Sequence, residues 1–232
     1  MTLVRAADGW VNVEPGYEGM ARPREFDEQA ALQAALARFW SRGYGATSTR
    51  DLAESMGITG ASLYNAFGDK RSLYQRVLEH YIESSLGERL RRYAPLAPRV
   101  ALETFFGEIV ERSMADPQHK GCLLVNSALE LSPHDPQFQS VVAEVFERIE
   151  SFFHRCIKAG QADRTISRDR PARDLARMLL SVLLGVRVLA RSRPERDLLE
   201  AAVRSALACL LPGPAAPTRA FASKRGAGPR KS

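Results

Sequence analysis

The chain reads as all-α. Apolar residues recur at helical spacing from Phe26 to Pro212, and convincing two-residue alternation is absent over that stretch. Glycine, proline and capping residues divide it into about nine helices. The architecture expected is an N-terminal three-helix unit followed by a larger helical domain. With 232 residues, 45% hydrophobic and 26% charged, a core of ordinary size can form, which excludes a wholly disordered or collagen-like chain. The longest near-apolar stretch, Met178–Val186, is too short to span a bilayer, so no membrane is expected as a partner. No basic segment followed by an apolar run opens the chain, so no secretory signal is expected. Cys122, Cys156 and Cys209 do not suggest a disulfide framework, and a reducing cytoplasm is the expected compartment.

Residues 1–21 contain Gly9, Pro15, Gly16 and Gly19 without helical period and read as a flexible extension. Met20, just before the helical region, is an alternative natural start. The first helix runs from about Asp27 to Arg42, with Ala31, Ala35 and Phe39 on one face, and Gly43 ends it. Ser48 opens the second, with Asp51 at the capping-box position. Thr59 starts the third, which closes near Phe67, and Asp69 caps a long fourth through about Arg92. Pro95 and Pro98 then break the chain. The fifth uses Leu102, Phe105, Phe106 and Ile109; His119-Lys120-Gly121 is a turn, and Cys122 opens a short sixth. Asp135-Pro136 starts the seventh, with Phe138, Val142, Val145, Ile149, Phe152 and Cys156 alternating by four and three. The eighth spans about Pro171–Arg191 and is apolar all round in its middle, so it must be covered on more than one side. The ninth runs from Pro194 to Leu211. Residues 212–232 hold five basic and no acidic residues, and their Pro, Gly and Ala content predicts disorder. That tail carries most of the net charge of +6, so charge alone is weak evidence for nucleic-acid binding.

The stretch Thr47–Tyr64 carries the function. Two short capped helices flank a glycine turn; Ala53 is small where the helices must cross, and Gly57 follows four residues later. Leu52, Ile58 and Leu63 are spaced to close the core beneath. The spacing fits a helix-turn-helix, whose second helix lies in a DNA major groove, and equally two ordinary helices joined by a glycine turn. The order Ala35-Leu36-Ala37-Arg38-Phe39, Gly43-Tyr44, Thr47-Ser48, Leu52-Ala53, Gly57-Ile58, Leu63-Tyr64, Phe67, Asp69-Lys70, Leu73 resembles the TetR/AcrR family of bacterial transcriptional regulators over about residues 25–80. The resemblance implies a homodimer on a palindromic double-stranded DNA operator, usually a repressor, with an inducer-binding C-terminal domain dimerising through helices 8 and 9. The domains expected are then 1–21 as extension, 22–80 as DNA-binding unit with the start of helix 4, 81–211 as ligand-binding and dimerisation unit, and 212–232 as tail.

Arg50 can reach a guanine edge or remain a solvated surface arginine. Tyr64 can stack on sugar or donate to phosphate, with partial core packing as the alternative. Asn65 can pair with adenine or phosphate, and Ser62 lies on the same helix. Ser48, Thr49 and Lys70 suit phosphate contacts, although Ser48 has capping as a sufficient role. Gly60 departs from many relatives, which place a side chain there. Arg22 and Arg24 resemble a minor-groove or phosphate-binding arm.

Cys122 follows Lys120 and sits at a helix start, and both favour thiolate, so oxidation or alkylation there could act as a switch. The alternative is a small buried hydrophobe. Gly121-Cys122-Leu123 looks like a segment of the electrophile- and oxidant-responsive branch of the family. Cys156 and Cys209 fall on apolar helix faces, where core packing is expected. Tyr81, Phe105, Phe106, Ile109, Phe138, Phe146, Phe152 and Phe153 are candidates for the wall of a pocket for a small apolar or electrophilic ligand, with Asn126, Ser127 or Glu130 as polar anchors; most of the aromatic residues are expected in the core. No cofactor or metal is expected. The four histidines form no HExxH pair, and no C-x-x-C, Walker loop or G-x-S-x-G elbow is present, so an enzyme is not expected. An activator of the same fold is the alternative to a repressor.

Overall fold

The structure, a computed structural model, describes the backbone of Thr2–Ala6 and Gly9–Val13 and all of residues 27–212. The two N-terminal segments are strands, β1 (Thr2–Ala6) and β2 (Gly9–Val13). They pair antiparallel, from Thr2 opposite Val13 to Ala6 opposite Gly9. The flexible extension without helical period expected over 1–21 thus includes a short hairpin. Each strand is only five residues, too short for alternation to stand out beside the glycines and Pro15. Arg22, Arg24 and residues 213–232 lie outside the described residues.

Nine helices follow among the described residues. α1 (Glu28–Arg42) is started by the Asp27 carboxylate, which accepts the amides of Gln29 and Ala30. It buries Ala31, Ala35, Leu36 and Phe39. α2 (Thr49–Met56) carries the capping box expected, Ser48 and Asp51 each accepting the other's amide. Gly57, at φ 66°, makes the left-handed turn into α3 (Gly60–Phe67), which Thr59 caps. Leu52 and Leu63 are fully buried beneath the crossing.

Lys70–Tyr81, Ile82–Gly87 and Glu88–Tyr93 run on as one rod, α4, started by Asp69. Its middle is a π-helical segment, where the Glu88 amide reaches back five residues to the Glu83 carbonyl. The segment widens the helix beside a void at the domain junction, to which Ser85 contributes. α5 (Pro98–Met114) and α6 (Leu123–Glu130) follow. α7 (Pro136–Ala162), started by Asp135, packs along α8 (Ala172–Ser192), and α9 (Arg196–Ala208) closes the bundle. Phe105, Phe106, Phe152 and Phe153 form its aromatic centre, with ring centroids 5.1–5.9 Å apart. No helix among the described residues is long and apolar enough to cross a membrane.

Candidate nucleic-acid interface and the cavity behind it

α1 to α3 form a braced head. Arg38 of α1 donates to the Asp51 carboxylate at 2.8 Å, tying α1 to the first turn of α2. Ser48 spends its hydroxyl on the capping box, accepting from the Asp51 amide at 3.1 Å and donating to its carboxylate at 2.6 Å. Together these hydrogen bonds hold Asp51 well below the usual carboxylate range. On the outer surface, Tyr64 is 54% exposed, too open for a core role. Arg50 and Asn65 are exposed and make no ion pair or hydrogen bond with the described residues. Ser62 Oγ lies 2.9 Å from the Thr59 hydroxyl, and Thr49 is half-buried at the first turn of α2. Lys70 is only half-buried, with its ammonium 4.2 Å from the centre of the Tyr44 ring.

The head is bolted to the larger domain at α6. Glu130, at the end of that helix, accepts the amide of Tyr44 at 3.0 Å and of Gly45 at 2.5 Å. Both amides lie in the loop between α1 and α2. The buried Tyr74 hydroxyl is 2.8 Å from Ser127 Oγ, and burial is the main cause that pushes it up to about 12. Arg71 grips the Asp135 carboxylate with two hydrogen bonds, at 2.7 and 3.0 Å. Aromatic contacts run alongside, from Phe39 to Tyr74 at 4.8 Å and from Tyr74 to Phe138 at 5.6 Å.

Behind this junction lies a cavity of about 390 Å³, walled by Trp40 of α1, Tyr81, Ser85 and Arg89 of α4, Lys120 before α6 and Arg187 of α8, among others. A narrow apolar cleft shares Tyr81, Ser85, Arg89 and Arg187 with it and continues between Phe105, Ile109, Phe146 and Leu183. Cys122, at the N-cap of α6, borders the cleft with its sulfur 3.5 Å from the Tyr81 hydroxyl. Arg187 donates to Ser113 Oγ at 3.0 Å and to the Gly121 carbonyl at 3.2 Å.

Residues 31–77 match bacterial regulatory proteins of the tetR family, and residues 98–206 match the tetracyclin repressor-like C-terminal domain. The chain belongs to the TetR family. YezE of Bacillus subtilis strain 168, named as an uncharacterized HTH-type transcriptional regulator, is 32% identical over 177 residues, 74% of this chain and 90% of the relative. The transcriptional repressor ComR of Escherichia coli K12 is 28% identical over 172 residues, 73% of this chain and 82% of the relative. Among solved structures, a cysteine mutant of the TetR family regulator CifR complexed with 26-base-pair operator DNA superposes with a TM-score of 0.72 at 33% identity. The match covers 81% of this chain and 98% of that one.

Within this TetR chain, the expected pocket residues divide. Phe105, Ile109 and Phe146 line the apolar cleft. Phe106 and Phe152 do not; they are buried among the other phenylalanines of the core. None of the expected polar anchors, Asn126, Ser127 and Glu130, lines the cavity or the cleft. Asn126 donates to the Lys120 carbonyl at 3.2 Å, closing the turn before α6, and Glu130 holds the head loop. Of the residues that do line the void, Tyr81 is among the aromatic candidates, while Arg187, Arg89 and Lys120 are not. Arg187 stands at the edge of the apolar middle of α8, and only its position one turn after Leu183, on the same helical face, carries a signal of an inward role. Cys209 is exposed at the end of α9, against the expectation of core packing, whereas Cys156 is half-buried. Among the described residues no three His, Cys, Asp or Glu side chains come together in a way that could hold a metal ion.

Proposed function

We propose that this TetR-family chain is a cytoplasmic transcriptional repressor that binds a palindromic DNA operator as a homodimer. A small apolar or electrophilic ligand, or modification of Cys122, releases it. One observation carries the reading: Arg50, Tyr64 and Asn65 stand exposed on a capped, braced helix-turn-helix, with their polar groups unspent. Ser62, Thr49 and Lys70 complete the surface offered to bases and phosphates, while Ser48 acts by holding α2. Two such heads in a twofold dimer would meet successive major grooves about 34–36 Å apart, or a multiple of that. The test is fluorescence anisotropy on DNA flanking the gene for this chain, near physiological salt, with excess nonspecific competitor. Nanomolar binding that survives competitor supports the reading. Binding that competitor abolishes, also in a chain ending at Leu211, counts against it.

Dimerisation is assigned to α8 and α9. α8 buries Leu175, Leu179, Leu183 and Val186 against its own bundle. Its other face leaves Met178, Val182 and Val188 partly or wholly exposed beside Ser181 and Gly185. An added Cβ at Gly185 would meet nothing within 4 Å in the single chain, so a large side chain there tests the partner surface alone. Gly185→Arg is expected to turn the dimer into a monomer in sedimentation velocity, with the thermal midpoint of the isolated chain unchanged. A dimer that persists removes α8 from the interface.

Cys122 is assigned as the reactive group, in keeping with the redox- and electrophile-responsive branch. Burial, the largest single effect, works against its thiolate, but the Arg187 guanidinium, the Tyr81 hydroxyl and the Val125 amide together outweigh it, and the thiol is held below its ordinary value. Alkylation follows the thiolate, so its rate climbs as pH rises through the thiol pKa. For a lowered pKa the climb comes at lower pH than the roughly 8.5 of free cysteine. The half-maximal iodoacetamide rate is therefore expected below that value, and Arg187→Gln should move it up. Cys122→Ser should bind the operator and ignore electrophiles; electrophile release that persists in it excludes the thiol switch.

A further inference from the structure

We propose that the cavity at the domain junction binds a small organic carboxylate with an apolar tail, the carboxylate on Arg187 and the tail in the cleft of Phe105, Ile109 and Phe146. The proposal rests on the reading of the chain as a ligand-released regulator and names the ligand class. Charge is the first argument. Arg187 is held among Ser113, Gly121, Tyr81 and Cys122, and no carboxylate of the described residues pairs with it. Of the other cations of the wall, Lys120 pairs with Asp116 at 3.0 Å, while Arg89 and Arg112 share with Arg92 the single carboxylate of Glu108, so the wall is net positive. A guanidinium withdrawn from water without a carboxylate is a standing site for an anion.

A carboxylate on Arg187 takes over from the Cys122 thiolate as its counter-charge. Shape gives the second argument. The cavity adjoins the narrow apolar cleft through the shared residues Tyr81, Ser85, Arg89 and Arg187, so an acid with a slender alkyl tail engages both where a compact anion leaves the cleft empty.

The carboxylate and the Cys122 thiolate compete for one cation. Ligand binding therefore raises the thiol pKa and slows its alkylation, which gives a readout apart from affinity. Octanoate is the probe and octanamide its uncharged counterpart, measured by calorimetry and by iodoacetamide protection of Cys122 on the full chain. Octanoate is expected to bind at least about tenfold tighter than octanamide, a difference of the size a charge-assisted hydrogen bond supplies, and to slow alkylation at neutral pH. Arg187→Met should abolish the preference for the acid. Equal binding of acid and amide, no binding of octanoate at millimolar concentration, or an undiminished preference in Arg187→Met overturns the proposal. Operator binding by the unliganded protein and the variant is measured in parallel. Its presence while the acid fails to bind overturns the ligand class alone; its absence in the wild type overturns the regulator reading.

Discussion

Tyr64→Ala and Arg50→Ala are each expected to cost the operator complex about 1–3 kcal/mol, the range for a well-placed base contact, which is a loss of roughly five- to 150-fold. The double variant should fall to the binding shown by unrelated DNA. The argument is one of unspent groups. Arg50 projects from the first turn of α2 and has no partner in the described protein, and Tyr64 is 54% exposed in the middle of α3. Removing either side chain opens no cavity, because neither fills the core, where Leu52 and Leu63 do the packing. Stability should therefore stay within about 0.5 kcal/mol of wild type, as for surface substitutions in general. The pairing of intact thermal unfolding with lost operator affinity is the diagnostic result. Loss of stability in step with affinity would instead make Tyr64 a packing residue, and unchanged affinity in both would place the DNA on another face. Sequence dependence separates the two roles further. If Tyr64 holds a phosphate through its neutral hydroxyl, its removal weakens binding about equally on all sequences; if Arg50 reads a base, its removal relaxes sequence preference at one position.

The parts of this molecule legible in its sequence are those decided within a few residues. Asp27, Ser48, Thr59, Asp69 and Asp135 are all helix caps, because a short polar side chain beside free amides has a local preference that the rest of the chain did not override. The hairpin at the N-terminus escaped because its pattern is brief. The π-segment of α4 escaped for another reason: apolar spacing in Tyr81, Ile82 and Leu86 suits a turn of ordinary or widened pitch equally well. The cavity was beyond reach in a stronger sense. Phe105 and Phe106 are neighbours with the same chemistry and are equally buried, yet only Phe105 borders the cleft. Periodicity says which face turns inward; it does not say where the inward faces fail to meet. Arg187 and Glu130 illustrate the same limit for charge. Each is polar on an amphipathic or apolar helix, and each has its partners in segments distant along the chain.

Glu130→Gln is the sharper test of how the two halves communicate. The carboxylate gives one oxygen to the Tyr44 amide at 3.0 Å and the other to the Gly45 amide at 2.5 Å. Glutamine keeps one acceptor and turns an NH₂ toward the second amide, donor against donor. Hydrogen bonds to a charged group are worth about 1.5–3 kcal/mol, and Gly45 is exposed, so water repairs part of the loss there. A destabilisation of about 1–2 kcal/mol is expected, seen as a lower urea midpoint with an unchanged slope. The glycines on either side were not chosen for turning alone. A Cβ at Gly43 or Gly45 would stand 3.1 Å from the Glu130 carboxylate, so the loop comes this close because neither residue carries one. The functional consequence is larger than the energy. α6 is eight residues long, about 12 Å, with Cys122 capping one end and Glu130 holding the head at the other. A shift of the thiol end has a short stiff path to the loop that enters α2. With that grip weakened, the head should bind its operator less tightly, and alkylation of Cys122 should change operator affinity less than in the wild type. Full alkylation-driven release in Glu130→Gln would mean the signal travels through Trp40 and Tyr81, whose rings meet at 5.1 Å on the other side of the junction.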